Sequence, residues 1–181
     1  MDLADLDSVK AYIGSPPAAD DDLLRTLVTA CSAFIESYLS RAIGKQPYTE
    51  VRNGSGGTVL VLKNRPVTAV SALSVNDVAI AAATNTTMAG YVFDDTQLML
   101  RGYCFTQGFQ NVSVSYTAGF VTVPFDIQQA CIEMVALKYK RRDRLGVSGK
   151  NIAGETISYS IADMDPNVKT LLGQWPNVTP V

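Results

Sequence analysis

The stretch VSVSYTAGFVTVPFDIQQACIEMVALKYKRRDRLG, residues 112–146, contains a strand pattern followed directly by a helix pattern. Valine and tyrosine alternate with serine from Val112 to Tyr116, which is typical of a strand with one buried and one solvated face. After the turn TAGF and Pro124, apolar residues recur at helical spacing from Ile127 onward, which predicts a long amphipathic helix. The two periods together predict a fold that combines helices with strands.

Two short helices are predicted near the ends of the chain. The first covers residues 6–13, begins after the candidate caps Asp5 or Asp7, and ends at Gly14. The last begins at Asp165, a candidate N-cap, with a proline at its first helical position. Both helices are too short to be stable alone, so each needs a packing partner.

A longer helix with a wide apolar face is predicted after residue 20. It starts at the acidic triplet Asp20, Asp21 and Asp22, whose carboxylates suit the positive end of a helix dipole. Its apolar side chains recur every three or four residues over about five turns. They are Leu24, Leu27, Val28, Cys31, Phe34, Ile35 and Tyr38. We expect this helix to pack on the helix that follows Pro124.

Short β-branched runs bounded by Gly, Asn, Asp and Pro lie between these two helices, and they predict antiparallel strands. The runs are residues 59–62, 67–75, 91–93, 98–100 and 111–116. Residues 79–90 (AIAAATNTTMAG) combine small polar residues with alanines and are predicted to form a long hairpin loop.

These elements predict an α+β fold: a small helical bundle with an inserted antiparallel β-rich subdomain and an extended C-terminal arm. A length of 181 residues suits one domain with an insert. We assign the helical core to residues 1–45 and 122–173, the β-rich insert to residues 46–121, and a C-terminal tail to residues 174–181.

The C-terminal part of the chain is predicted to be extended. Residues 147–151 (VSGKN) suit a flexible segment, and residues 155–161 (ETISYSI) alternate as an extended arm that contains Tyr159. Trp175, the only tryptophan, follows the last helix in a proline-bearing tail. It either folds back on its own core or anchors into a partner, and tryptophan is enriched at interface hot spots.

Composition argues against catalysis, a metal and a cofactor. The chain has no histidine, which removes the usual general base and the commonest metal ligand. Its three cysteines, Cys31, Cys104 and Cys131, form no CxxC pair and are interpreted as small buried hydrophobic residues. We therefore predict that the protein is not an enzyme and uses no cofactor.

Charge and hydropathy argue against two further classes. A formal charge of -2 does not suit a broadly basic nucleic-acid binder. No apolar run approaches the roughly 18 residues that span a bilayer, and the acidic N-terminus lacks a signal pattern. We expect no membrane contact, and a location in the cytosol where the chain is made.

A basic cluster marks the end of the long helix after Pro124. Five of the fifteen lysine and arginine residues lie within seven positions. They are Lys138, Lys140, Arg141, Arg142 and Arg144. Two interpretations stay open: a solvated helix end stabilised by the helix dipole, and a binding surface. For a binding surface, contact with the acidic N-terminal face of a neighbouring subunit is preferred over DNA binding, because the cluster lacks stacking aromatic residues and base-reading elements.

Five motifs in a fixed order carry a family resemblance. They are AYIG (11–14), IESYLSR (35–41), SYTAGF (115–120), VPFDIQQACIEMVALKY (123–139) and GETISYS (154–160). With this order and spacing the chain resembles the head-tail connector family of tailed bacteriophages, also called adaptor or head-completion proteins. The resemblance covers nearly the whole chain.

The resemblance implies a structural virion protein of the neck, at the head-tail interface, which is in the host cytoplasm during assembly. Such proteins form a homo-oligomeric ring, here expected to be a dodecamer, below the portal, where the ring joins capsid to tail and extends the DNA channel. The implied partners are the portal protein, stopper or tail proteins, and genomic DNA that passes through without sequence-specific binding.

The candidate residues for the subunit or portal interface are Arg141, Arg142, Arg144, Tyr159 and Trp175. Two alternative functions stay open: a stopper or tail-completion protein of the neck, and a DNA-binding regulator.

Overall fold

The computed structural model describes residues 1–142, 149–152, 155–158 and 164–175. The chain divides into two compact units. The helical unit contains residues 1–40 and the described residues from 123 onward, and the strand unit contains residues 41–122. Helices dominate the first unit and antiparallel strands the second, so the predicted α+β fold with a β-rich insert is confirmed.

The helical unit has four helices. They are α1 (Leu6–Ile13), α2 (Asp21–Tyr38), α3 (Phe125–Arg141) and α4 (Pro166–Gly173), and a 3-10 turn, Ala18–Asp20, leads into α2.

Local capping contacts define both short helices. The Asp5 side chain accepts a hydrogen bond of 2.8 Å from the Ser8 backbone N–H, which satisfies a free donor of α1. Gly14 ends α1 with φ of 98°, a left-handed conformation that favours glycine. At the other end of the chain, Asp165 accepts 2.9 Å from the Asn167 N–H. The predicted boundaries of α1 and the predicted cap of α4 are confirmed.

Helices α2 and α3 pack on each other, as predicted, and they run antiparallel. Ser32 Oγ and Cys131 Sγ lie 3.7 Å apart near the middle of the pair, and the Tyr139 hydroxyl donates to Asp20 at one end. The buried side chains from the two helices include Leu24, Val28, Cys31, Ile35, Ile127, Ala130, Cys131, Met134 and Val135. Burial raises the pKa of the Cys131 thiol to about 12, so this cysteine stays a neutral packing group.

The predicted apolar face of α2 is only partly buried. Phe34 and Tyr38 were predicted in that face but keep 39% and 44% of their surface exposed. The expectation of buried cysteines also fails at Cys104, which is exposed, whereas Cys31 and Cys131 are buried. Cys104 lies in a loop of the strand unit rather than on an apolar helix face, so the pattern that buries Cys31 and Cys131 does not apply to it.

The larger sheet of the strand unit has four antiparallel strands in the order β1-β7-β3-β4. These strands are β1 (Gln46–Gly54), β3 (Val67–Val75), β4 (Val78–Ala79) and β7 (Gly108–Ala118). The smaller sheet has three antiparallel strands in the order β2-β6-β5. These are β2 (Val59–Val61), β5 (Gly90–Phe93) and β6 (Gln97–Arg101).

Both sheets contribute side chains to one hydrophobic core. Its buried members are Leu60, Leu62, Val67, Leu73, Val75, Ile80, Tyr91, Leu98, Leu100, Phe105, Val112, Val114, Tyr116 and Ala118. The last four come from alternate positions of β7, while Ser113 and Ser115 lie on its half-exposed face. The alternation predicted for this strand is confirmed.

Three predictions about strands are wrong. Strand β1 was not predicted, although it pairs along β7 from Gln46↔Ala118 to Gly54↔Gly108. Residues 79–90 are not a hairpin loop, because β4 pairs with β3 whereas β5 pairs with β6 in the other sheet. The segment connects the two sheets.

The third error lies in the C-terminal part. Strand β8 (Gly149–Ile152) overlaps the segment predicted to be flexible, and it pairs antiparallel with β9 (Glu155–Ser158). The start of the predicted arm is therefore one strand of a hairpin. The rest of the predicted arm, residues 159–161, lies outside the described residues.

A tyrosine hydroxyl joins three segments of the strand unit. The buried Tyr116 hydroxyl donates to Glu50 on β1 and accepts 3.2 Å hydrogen bonds from the backbone N–H and side-chain amide of Asn64. Burial and the Glu50 hydrogen bond raise the pKa of Tyr116 above its ordinary value, so the hydroxyl remains a donor. Arg52 lies 3.3 Å from the second Glu50 oxygen.

Replacing Tyr116 with phenylalanine should lower the free energy of unfolding by about 1–3 kcal/mol, because buried Asn64 would lose the acceptor for two donors. Urea denaturation measures the change. Tyr103→Phe is the matched control, since Tyr103 is 50% exposed, and it should change little. Equal stability of Y116F and the unchanged protein would contradict a structural role for this network.

Candidate functional site

The basic end of α3 makes a defined contact within the chain. The Arg142 guanidinium lies 4.0 Å from the centre of the Tyr139 ring, and its NH1 nitrogen lies 3.1 Å from Asp20 Oδ2. The Tyr139 hydroxyl donates to the same carboxylate. We call Asp20, Tyr139 and Arg142 the α2–α3 clamp, because it ties the start of α2 to the end of α3.

The clamp changes the electrostatics of its members. The Tyr139 hydrogen bond holds the pKa of Asp20 below its ordinary value. Burial acts in the opposite direction, and the hydrogen bond and charge of Arg142 add to the lowering. The pKa of Arg142 is raised, mainly by Tyr139. These directions favour a carboxylate paired with a guanidinium near neutral pH.

The clamp bears on the predicted contact between an acidic face and a basic end. An acidic group, Asp20, and a basic group, Arg142, already meet inside one chain. Lys10 and Asp21 form a second internal pair at 2.8 Å. Part of the charge considered for a neighbouring subunit is therefore used within the helical unit, whereas the side chain of Lys138 is exposed.

The other predicted interface residues are not brought together by the described structure. Arg141 is half-buried on the last turn of α3. Arg144 and Tyr159 lie outside the described residues. Trp175 is half-buried just after α4, and its backbone N–H donates to Leu172 O at 3.0 Å. A role of these residues in an interface stays a prediction.

A small open pocket lies in the helical unit. Its volume is about 230 Å³, and its lining residues are Tyr12, Glu133, Ala136, Leu137, Lys140, Asp165 and Asn167. Sites for drug-sized molecules usually measure about 300–1,000 Å³, so this pocket suits a single side chain better than a ligand of that size.

Sequence reasoning missed an exposed aromatic residue in the strand unit. Phe109, near the start of β7, is 91% exposed. The next residue, Gln110, has φ of 49°, and its backbone N–H donates to Asn53 Oδ1 at 2.8 Å. Asn111 Oδ1 accepts 2.8 Å from the Gly54 N–H. Two asparagine side chains thus fix the backbone that presents Phe109 to solvent, next to a register shift in β1.

The sequence contains a partial signal for this feature. Asn-Gly at 53–54 and the polar pair Gln110–Asn111 mark irregular backbone. Neither signal indicates that the side chain of Phe109 is exposed to solvent. A second exposed aromatic residue, Phe125, is 83% exposed at the start of α3.

Within the described ranges, no group of three or more His, Cys, Asp or Glu side chains is placed to hold a metal ion. None of the helices in the described part of the chain is long and apolar enough to cross a membrane.

The chain matches a protein family over almost its whole length. The profile of the family described as "head completion protein" matches residues 2–178. No curated protein matches the sequence significantly.

Three solved structures have a similar fold. A chain in the neck of an empty gene transfer agent particle, computed with C6 symmetry, is 22% identical with a TM-score of 0.60, and the alignment covers 98% of this chain and 91% of that one. A chain in the neck of the native gene transfer agent particle, computed with C12 symmetry, is 19% identical with a TM-score of 0.57. The alignment covers 96% of this chain and 88% of that one. A chain in the virion of the native gene transfer agent particle is 21% identical with a TM-score of 0.63. The alignment covers 98% of this chain and 91% of that one.

The family match assigns the chain to the class of structural proteins that complete the heads of virus particles. The chain belongs to the head completion protein family. The resemblance found from the sequence motifs is therefore confirmed.

Replacing Asp20 with asparagine should destabilise the protein at pH 7, because the carboxylate holds Tyr139 and Arg142. Since the folded protein lowers the pKa of Asp20, its contribution is present above the unfolded value near 3.8 and is lost as pH falls through the folded value. The gap in melting temperature between D20N and the unchanged protein should therefore shrink below pH 3.8.

Thermal melts at pH 7 and at low pH measure this dependence. Asp22→Asn is the matched control, since Asp22 is an exposed carboxylate in the first turn of the same helix. A stability difference for D20N that stays constant across this pH range would contradict the charged role of the clamp.

Proposed function

We propose that this chain forms a closed homo-oligomeric ring in the neck of a phage-like particle, below the portal and above the tail. The observation that carries the proposal is the family match over residues 2–178. The similar chains in neck structures computed with sixfold and twelvefold symmetry support a ring, and twelvefold symmetry supports a dodecamer.

The chain has the properties that a ring subunit needs. A ring closes through a head-to-tail interface, which uses two different surfaces of each copy. By sequence, the helical unit has nine lysine and arginine residues against thirteen acids, a net charge of -4, and the strand unit has six against four, a net charge of +2. Opposite charges on two parts of the subunit favour head-to-tail contacts over contacts between like surfaces.

The proposed ring extends the DNA channel without reading the DNA sequence. Tight binding to DNA needs many lysine and arginine contacts with phosphates. A chain with seventeen acids and fifteen bases binds phosphate weakly as a whole, which suits a channel through which a genome must slide. In this role the subunit acts through its surfaces rather than by catalysis.

The proposed partners are the portal protein on one side and stopper or tail proteins on the other. Candidate contact residues are Arg141, Arg144, Tyr159 and Trp175, to which we add the exposed Phe109. Phe109 suits an anchor, because a large apolar side chain on fixed backbone loses little conformational freedom when a partner covers it.

Removing the gene for this chain should yield particles whose heads fail to join tails, because the connecting ring is missing. Electron microscopy counts joined and unjoined heads, and antibody labelling of complemented particles should mark the neck. Restoring the intact gene is the control. Fully joined, functional particles without the chain would refute the proposed function.

Deleting residues 174–181 should leave a folded protein that binds the portal less well, since the tail is proposed to carry a portal contact. Co-sedimentation with the cognate portal measures binding, and a melting curve tests the fold. The matched comparison is Trp175→Ala in the full-length chain. Portal binding that is unchanged in both variants would rule out a docking role for the tail.

A further inference from the structure

Helix α2 carries a second apolar surface beside its buried one. Leu23, Leu27, Phe34 and Tyr38 follow one another at spacings of four, seven and four residues, which places them along one line of the helix. Leu23, Phe34 and Tyr38 are 40%, 39% and 44% exposed, and Leu27 is half-buried. We call these four residues the α2 stripe.

The α2 stripe extends over most of the helix and is therefore larger than a single exposed apolar residue. From Leu23 to Tyr38 it extends about 22 Å at the helical rise of 1.5 Å per residue. Other exposed positions of α2 hold polar side chains, including Asp22, Arg25 and Thr26, so the helix has an ordinary polar surface elsewhere. A row of apolar residues of this length, exposed at three of its four positions, indicates an interaction surface.

Small residues beside the stripe allow a close approach. Thr26, Ala33 and Ser37 are exposed and lie along one edge of the stripe by helical geometry. None of the four stripe residues is charged, so a partner can cover them without removing an ion from water. The other edge of the stripe adjoins the buried side chains of the α2–α3 pair.

We propose that the α2 stripe is the surface on which a second copy of this chain docks in the ring. This inference rests on the proposed function. The similar folds occur in necks with sixfold and twelvefold symmetry, where each copy around the axis has identical copies as neighbours. A closed ring requires that the stripe meets a different surface of the neighbour, because stripe-to-stripe contact would produce an isolated dimer.

The size of the stripe suits the centre of such an interface. A standard interface covers about 800 Å² on each partner, which is more than one helix stripe supplies. Polar residues around the stripe complete the contact as a rim. In a ring each copy is held on two sides, so a weak pairwise contact suffices and the free chain can remain monomeric.

A photo-crosslinking residue, benzoylphenylalanine, at position 34 tests the identity of the partner in assembled particles. The expected product after irradiation has twice the mass of the chain and contains only its peptides. A product with any other virion protein, a link within one chain, or the absence of a link in particles that contain the chain would overturn the proposal.

Substitution tests the energetic role of the stripe. Leu23→Gln with Phe34→Gln should keep the melting curve, since both side chains are partly exposed, but should reduce incorporation into particles about tenfold or more. The matched control is Phe125→Gln, which removes a more exposed aromatic residue of the same unit outside the stripe and should incorporate normally. Normal incorporation of the double variant would refute the proposal.

The two proposals fail differently. If immunoblots find no chain in purified particles, the proposed neck function is wrong. If the chain is present in the neck but position 34 links to a different protein, the function stands and only the docking surface is wrong.

Discussion

The burial of strand β7 and of helix α3, which follow one another in the chain, is the constraint on which both units depend. Strand β7 lies between β1 and β3 and places alternate side chains in the core of the strand unit. Helix α3 follows directly and is buried along most of its length in the helical unit. The chain changes from one period to the other after Gly119, whose φ of 110° favours glycine and whose added Cβ would lie 2.5 Å from the Gly44 carbonyl oxygen. A side chain at this position would therefore disturb the transition between the two elements.

The parts of the fold that could be predicted from the sequence depend on local signals. Helix α1 has its cap and its terminating glycine within ten residues, and β7 alternates so regularly that its buried face was evident. Strand β1 was missed because Gln46–Gly54 mixes proline, charged and polar residues and becomes a strand through pairing with β7, more than fifty residues away. The pairing partners of β4 and β5 could not be predicted from the sequence either, since strand pairing depends on the whole fold.

The interaction surfaces were less predictable than the fold for a related reason. The basic residues of α3 were evident, but the placement of Arg142 over Tyr139 and beside Asp20 depends on how two distant helices pack. Whether an apolar side chain is exposed also depends on how the helices pack. Phe34 and Ile35 are neighbours with similar hydropathy, yet one is 39% exposed and the other fully buried. A periodic pattern shows which residues are apolar, and only the packing shows how many of them one subunit can cover.

The first and last residues of the strand unit lie next to each other. The backbone N–H of Phe120 donates to Ile43 O at 2.9 Å, and the N–H of Lys45 donates to Phe120 O at 3.0 Å. The backbone segments before and after an insert of about seventy-five residues are thus joined by direct hydrogen bonds. A short loop can bridge the same distance. Genetic recombination can therefore remove, enlarge or exchange the strand unit as a single insert, because the two backbone segments that flank it already lie side by side.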